Sequence, residues 1–176
     1  MHNARRYADE RRRADRLAVV ARVARLITGD LNLDDLLDGA AQAIHELLGY
    51  ENVAIAQLAT DAPETLVMRS FGGSYKDLIQ GTYRIPFARG LIGAAARSRE
   101  IVLVNDVSLD PRYLPTPGVT GTLAELAVPI VLGSDVLGVV NVERRTPFDH
   151  DDAEALRIVA DQLAVAIENA RLYEAA

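Results

Sequence analysis

Residues 123–143 read LAELAVPIVLGSDVLGVVNVE. Two apolar runs, Leu123 to Leu132 and Val136 to Glu143, meet at Gly133-Ser134-Asp135, a short polar joint of the kind that closes a β-hairpin. Strands joined this tightly are antiparallel, because a parallel pair needs a crossover of about a dozen residues or more. The fold is therefore read outward from an antiparallel centre.

Downstream, Asp149 can cap a helix with Asp152 at its third position, and Leu156, Val159, Ala160, Leu163, Ala166, Ile167 and Ala170 recur at helical spacing to the C-terminus. Upstream, Ile101 to Val104 reads as a short strand and Gly90 to Arg97 as one or two helical turns. Between them and the hairpin, Asp106 to Val119 holds Pro111, Pro115 and Pro117 and reads as a loop, with a helical turn near Asp110 to Tyr113. Thr82 to Phe87 is a strand whose Pro86 marks an edge or an end. Asn52 to Ala59 and Thr65 to Phe71 form a second hairpin across Asp61-Ala62-Pro63-Glu64, which Gly72-Gly73 is expected to end. Before it, Asn32 can cap a helix whose apolar face is Leu36, Leu37, Ala40, Ala41, Ile44, Leu47 and Leu48, with Gly49 as the stop. The chain opens with a helix from Ala4 to Thr28 whose stripe, Leu17, Val20, Ala21, Ala24 and Ile27, is confined to its second half, so the front is expected to project as a linker helix or coiled coil. Hairpin-linked strands with helices at both ends define an α+β class: an antiparallel sheet with helices on its faces. Residues 1–30 are read as a linker or dimerisation helix and 31–176 as the domain.

The 176 residues suffice for one self-sufficient core, and 49% hydrophobic with 25% charged residues is a globular composition. A formal charge of −6 argues against nucleic acid as a partner. The Arg cluster at 5, 6, 11, 12, 13, 16, 22 and 25 reads as the solvated face of an exposed helix. No apolar run is long enough for membrane insertion and the N-terminus has no secretory pattern, so a cytoplasmic location is expected. There is no Cys, which removes disulfides and thiolate chemistry.

The pieces GLIGAAARSREIVLVNDVSLDPRY at 90–113, ELAVPIVLGSDVLGVVNVE at 125–143, Phe148, and LRIVADQLAVAIENARLYE at 156–174 resemble, in this order, a GAF domain over residues 15 to 174. The resemblance implies a central sheet of about six antiparallel strands, with the terminal helices on one face and a pocket on the other, closed by segments near 71–97 and 104–122. It implies a sensory or regulatory module of a signalling protein that binds a small molecule or dimerises. It also implies a pocket lined by Phe71, Ile85, Phe87, Leu91, Ile92, Asn105, Asp106, Tyr113, Leu126 and Val128. Mostly apolar walls with a few polar groups suit a small organic ligand, whose identity is not readable; the competing reading is that these side chains simply fill the space.

Specialised versions of the family match less well. Of the cyclic-nucleotide signature, an Asn-Lys pair falls on Arg144-Arg145 and the final Glu on Ala153, leaving only Phe148 and Asp152; Arg145 with Asp152 is the candidate ion pair. Cyclic nucleotide is therefore not expected. Covalent bilin attachment and the GAF-type methionine sulfoxide reductase reaction both work through Cys and are excluded. Haem or iron is not expected from His2 in a terminus, His45 beside Ile44 and Leu48, or His150 in a first helical turn, although a site led by Tyr113 and Asp106 stays open. The acidic groups Asp34-Asp35 and Asp149-Asp151-Asp152 sit at helix starts, where carboxylates are stabilised by free N–H groups, and no enzymatic site is read from them. GLIG at 90–93 lacks the third glycine and the strand-to-helix setting of a dinucleotide fingerprint.

The first and last helices can lie side by side and form a four-helix bundle with a second copy, using Leu17, Val20, Ala24, Leu163, Ile167 and Ala170. The leading expectation is a ligand sensor that signals through these helices to an effector elsewhere in a larger protein, of which the chain would be a fragment. The alternatives are a ligand-free dimerisation module and, more weakly, a haem or iron gas sensor.

Overall fold

The computed structural model describes residues 2–27 and 32–175. The boundary at residue 30, and the end of the first helix at Thr28, lie outside them. The elements are α1 (His2–Ile27), α2 (Leu33–Leu48), β1 (Asn52–Leu58), β2 (Thr65–Gly73), α3 (Tyr75–Leu78), β3 (Tyr83–Pro86), α4 (Gly90–Ser98), β4 (Val102–Val104), β5 (Ala124–Leu132), β6 (Asp135–Arg144) and α5 (His150–Ala175). The strands form one sheet in the order β3-β2-β1-β6-β5-β4, every neighbouring pair antiparallel.

The central hairpin closes through Gly133 and Ser134, with Leu132 opposite Asp135. Gly133 sits at φ +62, which an L side chain adopts only under strain. Asp135, read as part of the joint, already belongs to β6.

Side chains alternate across the sheet, so each strand feeds two cores. On one face Val53, Ile55, Leu126, Val128, Val140 and Val142 pack against α1, α2 and α5. On the other, Ala54, Ala56, Met68, Ala127 and Val139 meet Tyr75 of α3 and Ile92, Ala95 and Ala96 of α4. Because helices cover both faces, β5 and β6 are buried almost throughout and read as continuous apolar runs.

The helix signals act as capping chemistry. Asn32 accepts from the Asp35 N–H at 3.1 Å, and Gly49 ends α2 in the left-handed conformation. At α5 the Asp149 carboxylate accepts from the Asp152 N–H at 2.9 Å while the Asp152 carboxylate accepts from the Asp149 N–H at 2.8 Å, a reciprocal box. Asp152 is only 3% exposed and also ties three elements together. It accepts from Arg16 of α1, from the Tyr50 hydroxyl at 2.9 Å and from Arg144 of β6 at 2.9 Å. Burial raises its pKa, but the Asp149 N–H, Tyr50 and the two cations outweigh that and hold it below the usual carboxylate value.

Two local readings are corrected and one element is added. Gly72 and Gly73 are the last two residues of β2, still paired with Val53 and Asn52, so the strand runs two residues beyond Phe71. A Cβ on Gly72 would lie 2.3 Å from the Ala41 carbonyl oxygen, so the glycine serves the close approach of α2 rather than a stop. The helical turn of the long loop lies at Val107–Leu109, capped by Asp106, and Asp110 to Tyr113 is only a turn closed by Tyr113 N–H to Asp110 C=O at 3.1 Å. The short α3 has no counterpart in the sequence reading.

α1 is exposed from His2 to Asp15 and buries Val20, Val23 and Ile27. Of the residues assigned to a dimer seam, Val20, Leu163, Ile167 and Ala170 are buried within the protomer itself, where they hold α1 and α5 onto the sheet. Ala24 is half-buried and Leu17 is exposed. The apolar stripe that these helices show in sequence is thus mainly spent on the protomer's own core.

Candidate functional site

A cavity of about 210 Å³ lies on the sheet face opposite α1, α2 and α5. Its walls are apolar: Ala54 and Met68 from the sheet, Ile85 from β3, and Leu91 and Ile92 from the first turn of α4, with Leu114 to Pro117 of the long loop across it. Its floor is polar. Glu125 of β5, Asn141 of β6 and Tyr75 of α3 line it while being 4%, 2% and 1% exposed.

Alternation from Ala54 and Asn141 puts Asn52 and Glu143 on the same side of the sheet, and Glu143 stands directly opposite Glu125 and Asn52 in register. The Glu125 carboxyl is hydrogen-bonded by Asn141, yet burial pushes its pKa up to about 8, with the charge of Asp110 adding to the rise. Burial pushes Glu143 up to about 7. Among the described residues neither carboxyl has a cationic partner, and Asn141 Oδ1, Tyr75 Oη, Glu143 Oε2 and Asn52 Oδ1 have no hydrogen-bond partner. Leaving a buried polar atom unpaired costs about 1–3 kcal/mol, and two such atoms, Asn141 Oδ1 and Tyr75 Oη, belong to residues that line the cavity.

Of the residues assigned to the pocket from sequence, Ile85, Leu91 and Ile92 line it. Phe71 and Phe87 are half-buried beside it: Phe71 stacks on Tyr83 with ring centroids 6.4 Å apart, and Phe87 lines a separate shallow groove. Asn105 instead bridges to the start of α5, donating to the Phe148 carbonyl at 2.9 Å and accepting from its N–H at 2.8 Å. Asp106 is engaged in its cap, and Tyr113 is hydrogen-bonded with Thr122, its phenol pKa raised by burial and by the Glu125 charge. Leu126 and Val128 are corrected: both point into the core beneath the terminal helices, and the β5 residue that faces the cavity is Glu125. A shift of one residue exchanges the two faces of a strand. The missed signal was Glu125 itself, a lone carboxylate within an apolar run.

The motif positions are also settled. Arg144, not Arg145, pairs with Asp152. α4 follows β3 closely, so GLIG does stand in a strand-to-helix setting, still without a third glycine. His45 Nδ1 lies 2.6 Å from the Tyr50 carbonyl oxygen, while His2 and His150 are exposed. Among the described residues no group of three or more His, Asp or Glu could hold a metal ion, and no helix is long and apolar enough to cross a membrane.

An α+β domain built on this sheet order, with terminal helices on one face and a half-polar cavity on the other, is the architecture of the GAF fold. The GAF domain family model matches residues 32–167, and the chain belongs to that family. No curated protein matches it. Among solved structures, it superposes on the GAF domain of a phosphoenolpyruvate-protein phosphotransferase from Coxiella burnetii with a TM-score of 0.82 at 21% identity, covering 93% of this chain and 99% of that one. A free methionine-R-sulfoxide reductase from Neisseria meningitidis, in complex with its substrate, gives 0.79 at 24% identity over 92% and 93%. A methyl-accepting chemotaxis protein segment, residues 122 to 287, gives 0.76 at 24% over 88% and 99%. The fold thus serves both signalling proteins and enzymes.

Proposed function

We propose that the chain is a cytoplasmic sensory or regulatory domain that binds a small molecule in the cavity floored by Glu125, Asn141 and Tyr75, and relays occupancy through α1 and α5 of a homodimer. The observation that carries this reading is the set of buried, unpaired polar atoms around an otherwise apolar cavity. A route for the relay is supported by β6, which brings Asn141 to the cavity and, three residues on, Arg144 to the Asp152 junction with α1 and α5. Exposed Leu17 and Leu26 on α1, and Val165, Leu172 and Tyr173 on α5, support the dimer, replacing the buried positions read from sequence. The role is binding rather than catalysis, because the reductase neighbours' thiol chemistry has no Cys here to carry it. The GAF-fold neighbours in a chemotaxis protein and a phosphotransferase fit a signalling role.

Native mass spectrometry beside the denatured mass tests the proposal. The expected result is a dimer carrying a discrete extra mass that is lost on denaturation; a bare monomer that no small molecule shifts would sink it.

A further inference from the structure

The floor of the cavity is rich in acceptors and poor in cations. Glu125 and Glu143 face one another across β5 and β6, and Asn141, which gives its amide N–H to Glu125, leaves its Oδ1 unpaired at the cavity. The Tyr75 hydroxyl, also unpaired, lines the same space. The cavity's single Lys or Arg is Arg84, which is half-exposed and bound to Asp61 at 2.8 Å. A phosphate or carboxylate placed here would meet the buried Glu125 carboxyl, with Glu143 next to it on β6, and no free cation in the lining to offset them. The first turn of α4, which has no side-chain cap, is the one donor array in the wall and can take an acceptor elsewhere on the ligand.

We propose that this cavity is an amine site: it takes a small molecule with an apolar body against Ile85, Leu91 and Ile92 and a protonated nitrogen seated on Glu125, Asn141 Oδ1 and the Tyr75 hydroxyl. The inference rests on the small-molecule reading above and names its ligand class. Such a head group supplies the donors that the floor lacks and the charge that a buried carboxylate needs.

Binding also moves a proton. With Glu125 at about 8, the free site holds its carboxyl largely protonated at neutral pH, and an ammonium group converts it to carboxylate with release of that proton. The other groups facing Glu125 are Asn141 and Glu143 from β6, Tyr83 and Arg84 from β3, and Asp110 and Tyr113 from the long loop. Asp110 is held below the usual carboxylate range by Arg112 and the two phenols are pushed up by burial, so of these groups only Glu143, itself pushed up to about 7 by burial, titrates near neutrality beside Glu125.

The test is calorimetry and thermal shift on the full chain with C4–C8 primary amines and their skeleton-matched alcohols and carboxylates, at pH 6.5 and 8.5. The expected result is at least one amine binding tenfold or more tightly than its alcohol, more tightly at pH 8.5, with no detectable binding of its carboxylate. Glu125→Gln should weaken that amine at least tenfold while melting no lower than the wild type at pH 8.5. An alcohol or carboxylate that binds as well as the amine, or an amine indifferent to Glu125→Gln, overturns the amine site and leaves the small-molecule reading standing. No binding by any member of the panel overturns both.

Discussion

At the scale of single residues, the decisive feature is a carboxyl kept in a strand. Between about pH 4.5 and 8 the folded chain retains on Glu125 a proton that the unfolded chain has released, so stability falls as pH rises through this window, by up to about 1.4 kcal/mol per unit. Glu143, pushed up to about 7, adds a slope of the same sign below that pH. Thermal melts from pH 5.5 to 8.5 should therefore lose several degrees, and Glu125→Gln should flatten the fall between about pH 7 and 8 while leaving the Glu143 share below it; an unchanged slope above pH 7 would mean that Glu125 is not buried as described. Leu126, one position along, behaves in the opposite way. It is fully buried beneath the terminal helices, and Leu126→Arg should cost several kcal/mol or prevent folding, as read by urea denaturation, without testing the cavity at all. The sequence could not separate these neighbours by hydropathy, because both faces of β5 are covered and the run shows no alternation. Composition within the run held the signal that the reading missed, since an acid among Ala, Leu and Val has to face something polar.

Among the elements, helices and hairpins were legible in advance wherever a local rule produced them. The caps at Asn32, Gly49 and Asp149, and the turn at Gly133, all lie where their residue types predict. Elements shaped by long-range contact were not legible: Gly72 looked like a terminator because its reason, the Ala41 backbone of α2, is distant in sequence. Gly72→Ala should therefore destabilise by about 2–4 kcal/mol, beyond the usual effect of a glycine in a strand, and a near-neutral denaturation midpoint would contradict the close approach. The short α3 went unseen because four residues give no periodicity to read. The Asp152 junction makes a further demand on α1, whose second half has few buried side chains. Asp152→Asn removes the charge facing Arg16 and Arg144 and should cost about 3 kcal/mol, with faster proteolysis in α1 than in α2. Uniform proteolysis would show that the junction does not hold α1.

For the molecule as a whole, the α+β class followed from the order of elements and the layer arrangement from the resemblance to GAF domains, whereas the surfaces followed from neither. The stripes of α1 and α5 looked like a seam between copies, yet most of their residues close the protomer's own core, since the period of an apolar pattern says that a face is covered and not by what. The exposed remainder gives a separate prediction: Val165→Asp with Leu172→Asp should convert a dimer into a monomer by sedimentation while leaving the melting temperature within a few degrees. A dimer that survives both changes would place its interface elsewhere.

The sheet's two borders are its shortest strands, β3 at four residues and β4 at three, and β3 finishes on Pro86, which has no N–H to offer. A border that brief cannot template another strand. Serial fusion of the domain should therefore not drive fibre formation through β3 or β4, and an extended peptide finds only three or four residues of rail along either.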